Sequence, residues 1–275
     1  MKSILSVSLL CLIPLVRSDE VTKEAKYPRF ERSCFRSMPS AELNECLKFN
    51  LQQNLPRFRA GIPGMMNESI DPLHWREFNG DFKTSILRGS MSVRGINFSG
   101  WSKMRILDVR ANVADPKKLI TEVDWWAPSI VGVGRFDMSG KIGRYEFVGA
   151  GPFEVALGGV SGTWTIRGSQ EKTAPYMEIS SLRGLPEIDT FKVTAENAAI
   201  GNERIGQLVV ATINRTWRIM VGLANKPAEK QWGDFWTERL NRIFLNVPYE
   251  ELFPLRPEPE EQLLDQSTAS PPESS

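Results

Sequence analysis

Apolar residues first recur at helical spacing in the segment that follows Pro39. Leucines occupy every fourth position from Leu43 to Leu55, which indicates one apolar face of a helix. Pro39 stands just before the start near Ser40, and Pro56 marks the end. The pattern therefore predicts an amphipathic helix near the N-terminus.

From about residue 79 to residue 202, apolar and polar positions alternate instead. Runs of this kind are Met104–Leu107, Leu119–Trp125, Phe153–Leu157 and Trp164–Ile166. Glycines fall inside the runs, which indicates bulges, tight turns and strong curvature. Because no long helical pattern separates these strands, they predict an antiparallel sheet with one buried face.

Helical spacing returns near Glu203 and continues to Pro248, with a predicted break around residues 225–227. The apolar positions of this region are Ile205, Val209, Ile213, Trp217, Met220, Trp232, Trp236, Leu240, Ile243 and Val247. A long apolar helix that follows a curved sheet favours an α+β fold in which the sheet wraps the helix.

The N-terminus has the pattern of a secretory signal peptide over residues 1–18. Lys2 precedes an apolar run from Ile4 to Val16, and cleavage is expected between Ser18 and Asp19. An uncleaved anchor helix is the alternative, but the run is shorter than the roughly 20 apolar residues that span a bilayer. We therefore expect a secreted, extracellular protein without a membrane span.

The C-terminal residues 256–275 are rich in Pro, Glu and Ser and hold few apolar side chains. Such a composition cannot offset the entropy of ordering, so we expect a disordered acidic tail. Residues 19–255 are then one domain. The charge of the whole chain is balanced, with 34 Lys and Arg against 33 Asp and Glu, and nothing in it indicates a nucleic-acid partner.

Two cysteines, Cys34 and Cys46, remain after removal of the signal peptide. An even pair in an oxidising compartment predicts a disulfide. A structural zinc is the alternative, but His74 is the only histidine, which leaves too few ligands, and we expect no metal. The sequons at Asn67, Asn97 and Asn214 are candidate glycosylation sites.

Motifs for catalysis are incomplete. The segment Gly159–Gly162 lacks the spacing of a nucleophile elbow, and His74 is the only imidazole that a hydrolase could use. We interpret His74 as a partly packed loop residue. The segment Gly132–Gly134 lacks the third glycine of a dinucleotide site. Paired carboxylates remain open, because their proximity cannot be read from sequence. We expect no cofactor and no enzymatic activity.

Several short motifs, in this order and spacing, resemble the Takeout and juvenile-hormone-binding family of arthropods. They are Cys34 with Cys46, Leu55-Pro56, Gly61-Ile62-Pro63, Asp71-Pro72-Leu73, Gly149–Phe153, Asn214 with Trp217, Asn241, Ile243-Phe244 and Val247–Phe253. The resemblance implies the tubular lipid-binding fold, with an apolar tunnel between the long helix and the sheet. It implies a carrier of terpenoid-like or fatty ligands, such as juvenile hormone.

If the fold is tubular, ligand contacts are expected from three elements. The expected residues are Leu47, Leu51 and Leu55 of the first helix, Phe153, Val155 and Leu157 of the sheet, and Ile213, Trp217 and Met220 of the C-terminal helix. For each of these side chains, simple core packing is the alternative. A secreted interaction protein with a vestigial tunnel is the alternative for the whole chain.

Overall fold

The computed structural model describes residues 30–171 and 174–257, and for residues 223–228 it describes the backbone alone. The predicted signal peptide and nearly all of the predicted tail lie outside these residues. The elements are α1 (Ser40–Asn54), β1 (Leu73–Lys83), β2 (Leu87–Ser99), a 3-10 turn (Trp101–Lys103), β3 (Arg105–Asn112), β4 (Leu119–Ile142), β5 (Tyr145–Gln170), β6 (Met177–Arg183), β7 (Glu187–Ala195), α2 (Glu203–Phe244) and α3 (Tyr249–Leu252).

The seven strands form one antiparallel sheet around two long central strands. The pairing order is β1-β2-β4-β5, β3 also pairs with β4, and both β6 and β7 pair with β5. Strands β4 and β5 have 24 and 26 residues, so each is about 80 Å long at about 3.3 Å per residue. The sheet therefore has two halves, one with β1, β2 and β7 and the other with β3 and β6.

Helix α2 lies along both halves of the curled sheet, which stays open. It contacts β1 on one side and β6 and β7 on the other. Its 42 residues give a length of about 63 Å. This arrangement, with α1 packed on β3, confirms the predicted α+β fold.

The predicted break in this helix at residues 225–227 is wrong, because the backbone is helical through Pro227. A proline removes one hydrogen bond and crowds one carbonyl, a disturbance confined to one turn. On either side of that turn the helix packs against the sheet, since Trp217 stacks on Phe191 of β7 and Trp232 stacks on Trp75 of β1.

The free strand edges are covered by side-chain amides of the helices. The amide of Asn214 donates to the carbonyl of Val193 and accepts from its N–H, both at 2.8 Å. Asn241 holds the backbone of Ile179 on β6 in the same way, and Gln52 of α1 holds β3. Each amide thus replaces a neighbouring strand, which protects an edge that would otherwise be open to pairing.

Two sequence expectations about local structure need correction. The sheet begins at Leu73 and ends at Ala195, so His74 is an exposed residue of β1 rather than a loop residue. In α1 the buried residues are Leu43, Cys46, Asn50 and Asn54, while Leu51 is 39% exposed. A four-residue step overshoots a helical turn by about 40°, so leucines spaced in this way drift off the buried face.

The disulfide between Cys34 and Cys46 is present and ties the segment before α1 to that helix. It belongs to a core cluster at the end of the molecule formed by β6, α1 and α3, which also contains Leu43, Ile179 and Tyr249. A second cluster fills the middle, and a third fills the end formed by the β1–β2 and β4–β5 hairpins.

Candidate functional site

An apolar cavity of about 330 Å³ lies between the first half of α2 and the half of the sheet that contains β1, β2 and β7. Aromatic and aliphatic side chains dominate its lining. The lining residues are Phe78, Asn79, Gly80, Asp81, Phe82, Met91, Val93, Ile96, Phe98, Phe136, Met138, Phe153, Val155, Phe191, Val193, Ala195, Val210, Ile213, Trp217, Met220 and Val221. Asn79 and Asp81, both on β1, supply the polar side chains of this lining.

Two glycines of β4 make room for the aromatic wall of the cavity. A side chain at Gly132 would lie 2.7 Å from the ring of Phe98, and one at Gly134 would lie 3.0 Å from the ring of Phe153. The first distance is shorter than real Cβ contacts and the second is tighter than most of them, so a side chain at either position would push against an aromatic ring of the wall. The glycines that indicated curvature in the sequence thus also shape this wall.

The structure brings together five of the nine residues expected to contact ligand. Phe153, Val155, Ile213, Trp217 and Met220 all line the cavity. They come from β5 and α2, the two elements that the tubular arrangement places face to face.

The other four expected residues lie away from this cavity. Leu157, Leu47 and Leu55 pack against the central cluster, and Leu51 is exposed. Helix α1 packs on β3, in the other half of the sheet, which separates its leucines from the cavity. A ligand role for these four residues stays a prediction.

The sequence interpretation missed the contribution of β1, β2 and β7 to the wall. Phe78, Phe98 and Phe191 come from these strands, and Phe191 stacks on Trp217 with ring centroids 5.6 Å apart. The available signal was the period-two spacing of apolar residues in each strand, such as Ile96 and Phe98.

Next to the cavity, five tryptophans form a closed ring across the middle of the molecule. Successive indole centroids are 5.8 Å apart for Trp101 and Trp125, 5.0 Å for Trp125 and Trp164, 6.2 Å for Trp164 and Trp236, 5.8 Å for Trp236 and Trp232, and 5.6 Å for Trp232 and Trp101. We call these five residues the tryptophan ring. It joins β4, β5, α2 and the 3-10 turn in one aromatic cluster.

Asp71 fixes the 3-10 turn that carries Trp101. Its carboxylate accepts hydrogen bonds from the backbone N–H of Gly100 at 3.0 Å and of Ser102 at 2.8 Å, and from the Ser102 hydroxyl. Burial alone would raise the pKa of Asp71, but these hydrogen bonds outweigh it, so the pKa lies below its ordinary value of 3.8.

A guanidinium lies beside the ring, over the face of a phenylalanine that packs on it. Arg239 covers the face of Phe235 at 3.4 Å, and Phe235 in turn packs against Trp232 and Trp236. Burial lowers the pKa of Arg239 from its ordinary value. Among the described cation–aromatic contacts, none involves a member of the tryptophan ring.

The other residues considered for catalysis or metal binding do not form a site among the described residues. The ring nitrogen of His74 lies 3.1 Å from the amide oxygen of Asn97. Among residues 30–171 and 174–257, no group of three or more His, Cys, Asp or Glu is placed to hold a metal ion. Within the same part of the chain, no helix is long and apolar enough to cross a bilayer.

The three sequons differ in their surroundings. Asn67 is exposed in the loop before β1, and Asn97 is partly buried on β2. The amide of Asn214 is already engaged with the backbone of β7. All three were candidates from sequence alone; Asn67 has the exposed side chain, and the engagement of Asn214 disfavours a glycan there.

Comparison with known proteins gives a family and a fold. The sequence model of the haemolymph juvenile hormone binding proteins matches residues 8–254. No curated protein matches the chain. The crystal structure of Takeout 1 from Epiphyas postvittana is similar with a TM-score of 0.64 and 19% identity, over 77% of this chain and 96% of that one.

A crystal structure of lipopolysaccharide binding protein also aligns, with 13% identity over 69% of this chain and 38% of that one. Its TM-score of 0.29 is too low to carry an argument.

Proposed function

The chain belongs to the haemolymph juvenile hormone binding protein family, and from this premise we propose that it is a secreted carrier of a hydrophobic small molecule. The proposed ligand is a terpenoid, such as juvenile hormone, or a fatty-acid-like lipid, held in the apolar cavity between α2 and the sheet. The observation that carries the proposal is that cavity of about 330 Å³ with its aromatic and aliphatic lining.

The size and lining of the cavity suit such a ligand. Small-molecule sites in proteins typically have volumes of about 300–1,000 Å³, apolar walls and a few polar groups that orient the ligand. Burial of about 400 Å² of apolar ligand surface at ~25 cal/mol/Å² would contribute on the order of 10 kcal/mol. After an association cost of several kcal/mol, affinity in the micromolar range or tighter is expected.

Secretion is supported by the N-terminal pattern and by the disulfide. Residues 1–18 have the arrangement of a signal peptide, and a bridge between Cys34 and Cys46 is stable in an oxidising compartment. A carrier in an extracellular fluid would keep its insoluble ligand away from water during transport.

The experiment is to secrete the full chain from cultured cells, extract the purified protein with organic solvent, and analyse the extract by mass spectrometry. A carrier should bring a hydrophobic compound in near-stoichiometric amount, and the same compound should be absent from a secreted control protein purified in parallel. Protein that yields no compound and also takes up none from a panel of terpenoids and acyl lipids would instead favour an interaction protein with a vestigial cavity.

A further inference from the structure

All five members of the tryptophan ring share an unusual feature of their polar atoms. The indole nitrogens of Trp101, Trp125, Trp164, Trp232 and Trp236 are buried and have no hydrogen-bond partner among the described residues. Trp101 and Trp125 are only 6% and 1% exposed. The nearby Trp75 behaves normally, since its indole N–H donates to a backbone carbonyl at 2.9 Å.

Buried donors without acceptors are rare in proteins, because each loses its hydrogen bonds to water and gains none in return. Five in one contiguous ring point to an acceptor supplied by another molecule, either a buried water or a ligand oxygen. Donation to a neighbouring indole face is the weak alternative. A ligand oxygen in contact with the ring would satisfy several of these donors at once.

The surroundings indicate which kind of oxygen the ring would accept. An indole is an uncharged donor with no acceptor of its own. The guanidinium of Arg239 lies on Phe235 rather than on a ring member. Since a carboxylate buried without a cation is strongly disfavoured, a neutral ester, ketone or alcohol oxygen suits the ring better than an ionised acid.

One wall residue, Phe98, links the ring to the apolar cavity. Phe98 lines the cavity and also packs against the central cluster that contains the ring. Along α2, the cavity residue Val221 precedes Trp232 by 11 positions, which is about 16 Å of helix. A ligand chain longer than about 16 Å would extend from the cavity past Phe98 toward the ring.

We propose that the tryptophan ring binds the polar end of the ligand, as a neutral oxygen acceptor, while the hydrocarbon part of the ligand occupies the apolar cavity. This inference rests on the proposed carrier function and adds the chemical class of the ligand: a long apolar chain that ends in an uncharged oxygen group.

The test compares two probes of equal chain length, methyl palmitate and hexadecane, with the full chain. Affinity is measured by displacement of N-phenyl-1-naphthylamine, and the eight indole N–H signals are followed by NMR of protein labelled with ¹⁵N-tryptophan. Trp232→Phe and Trp236→Phe each remove one donor and keep an aromatic ring. Trp126→Phe is the matched control, since Trp126 alternates with the inward-facing Trp125 on β4 and lies near Arg105.

We expect the wild type to prefer the ester. Trp232→Phe and Trp236→Phe should each lower the ratio of ester to alkane affinity about fivefold, equivalent to about 1 kcal/mol for one hydrogen bond. The ratio cancels the volume lost with the indole, because both probes experience it. Trp126→Phe should leave the ratio unchanged, and ester binding should shift indole signals that hexadecane leaves in place.

The two proposals fail in different ways. If neither probe displaces the dye, the carrier function fails and this inference fails with it. If both probes bind equally, or the ratio is the same in all variants, the cavity is a ligand site and the ring is not its polar end. Tighter binding of palmitate than of its methyl ester would overturn the assignment of a neutral acceptor.

Discussion

Val155→Trp is the substitution that most directly separates a ligand cavity from a packed core. Val155 lies on β5 opposite Val193 of β7, and both side chains line the cavity. An indole in place of the isopropyl group would occupy roughly a quarter of the 330 Å³ once packed at interior density. A quarter of the ~10 kcal/mol of apolar burial is about 2.5 kcal/mol, so the Kd should rise about 60-fold.

The assay has two measurements on each variant. Kd is obtained by dye displacement with methyl palmitate, and the free energy of unfolding by chemical denaturation. Val133→Trp is the matched control, because it makes the same substitution at a side chain that is 43% exposed on the neighbouring strand. Leu51→Trp, at a position 39% exposed on α1, tests whether the first helix contributes to binding.

We expect Val155→Trp to fold with nearly unchanged stability and to bind weakly, and the control Val133→Trp to bind as the wild type does. The reasoning is refuted if Val155→Trp loses about 1–3 kcal/mol of stability while its affinity stays the same, which is the signature of an overpacked core. Weaker binding by Leu51→Trp alone would instead place the ligand near α1.

Four further predictions concern stability, processing and the C-terminal residues. Replacing Cys34 and Cys46 by serine should cost about 3 kcal/mol in chemical denaturation, since the bridge closes a short loop in the unfolded chain. Truncation after Arg256, which removes residues 257–275, should leave both melting temperature and ligand affinity unchanged, because this segment has few apolar side chains to bury. Asn214→Ala should cost about 1–3 kcal/mol of stability through unpaired strand groups, and glycopeptide mapping of the secreted wild type should find no glycan there. Because folding lowers the pKa of Asp71, its ionised carboxylate stabilises the folded state at any pH above its ordinary pKa. That stabilisation is lost as the pH falls through the lower pKa of the folded state. The free energy of unfolding of Asp71→Asn, measured against pH, should therefore lack this acid-induced loss below about pH 4.

The fold was accessible from the sequence because its main elements have strong periodic patterns. The alternation around Val123 and Trp125 predicts a strand with one buried face, and both residues are buried on β4. The continuity of α2 through Pro227 could not be predicted from the sequence. A proline within a helical pattern predicts a break unless the packing on both sides of it is known.

The candidate site was accessible only in part, for a geometric reason. Phe153 and Trp217 could be assigned to the cavity because a wrapped helix must face the sheet that wraps it. The distance between α1 and the cavity is set by how the two long strands β4 and β5 pair along their whole length. That register depends on both strands together, so no single segment of sequence specifies it.

The tryptophan ring depends on the same separation of the sheet into two halves. Trp125 and Trp164 come from adjacent strands, but Trp232 and Trp236 lie more than 60 positions further along the chain and reach them only because α2 is unbroken. A break at residues 225–227 would free the second half of the helix to leave the sheet, and the ring would then lose two of its five indoles. The continuous course of α2 therefore brings the tryptophan ring beside the apolar cavity, and a ligand that contacts both would in turn favour the unbroken helix.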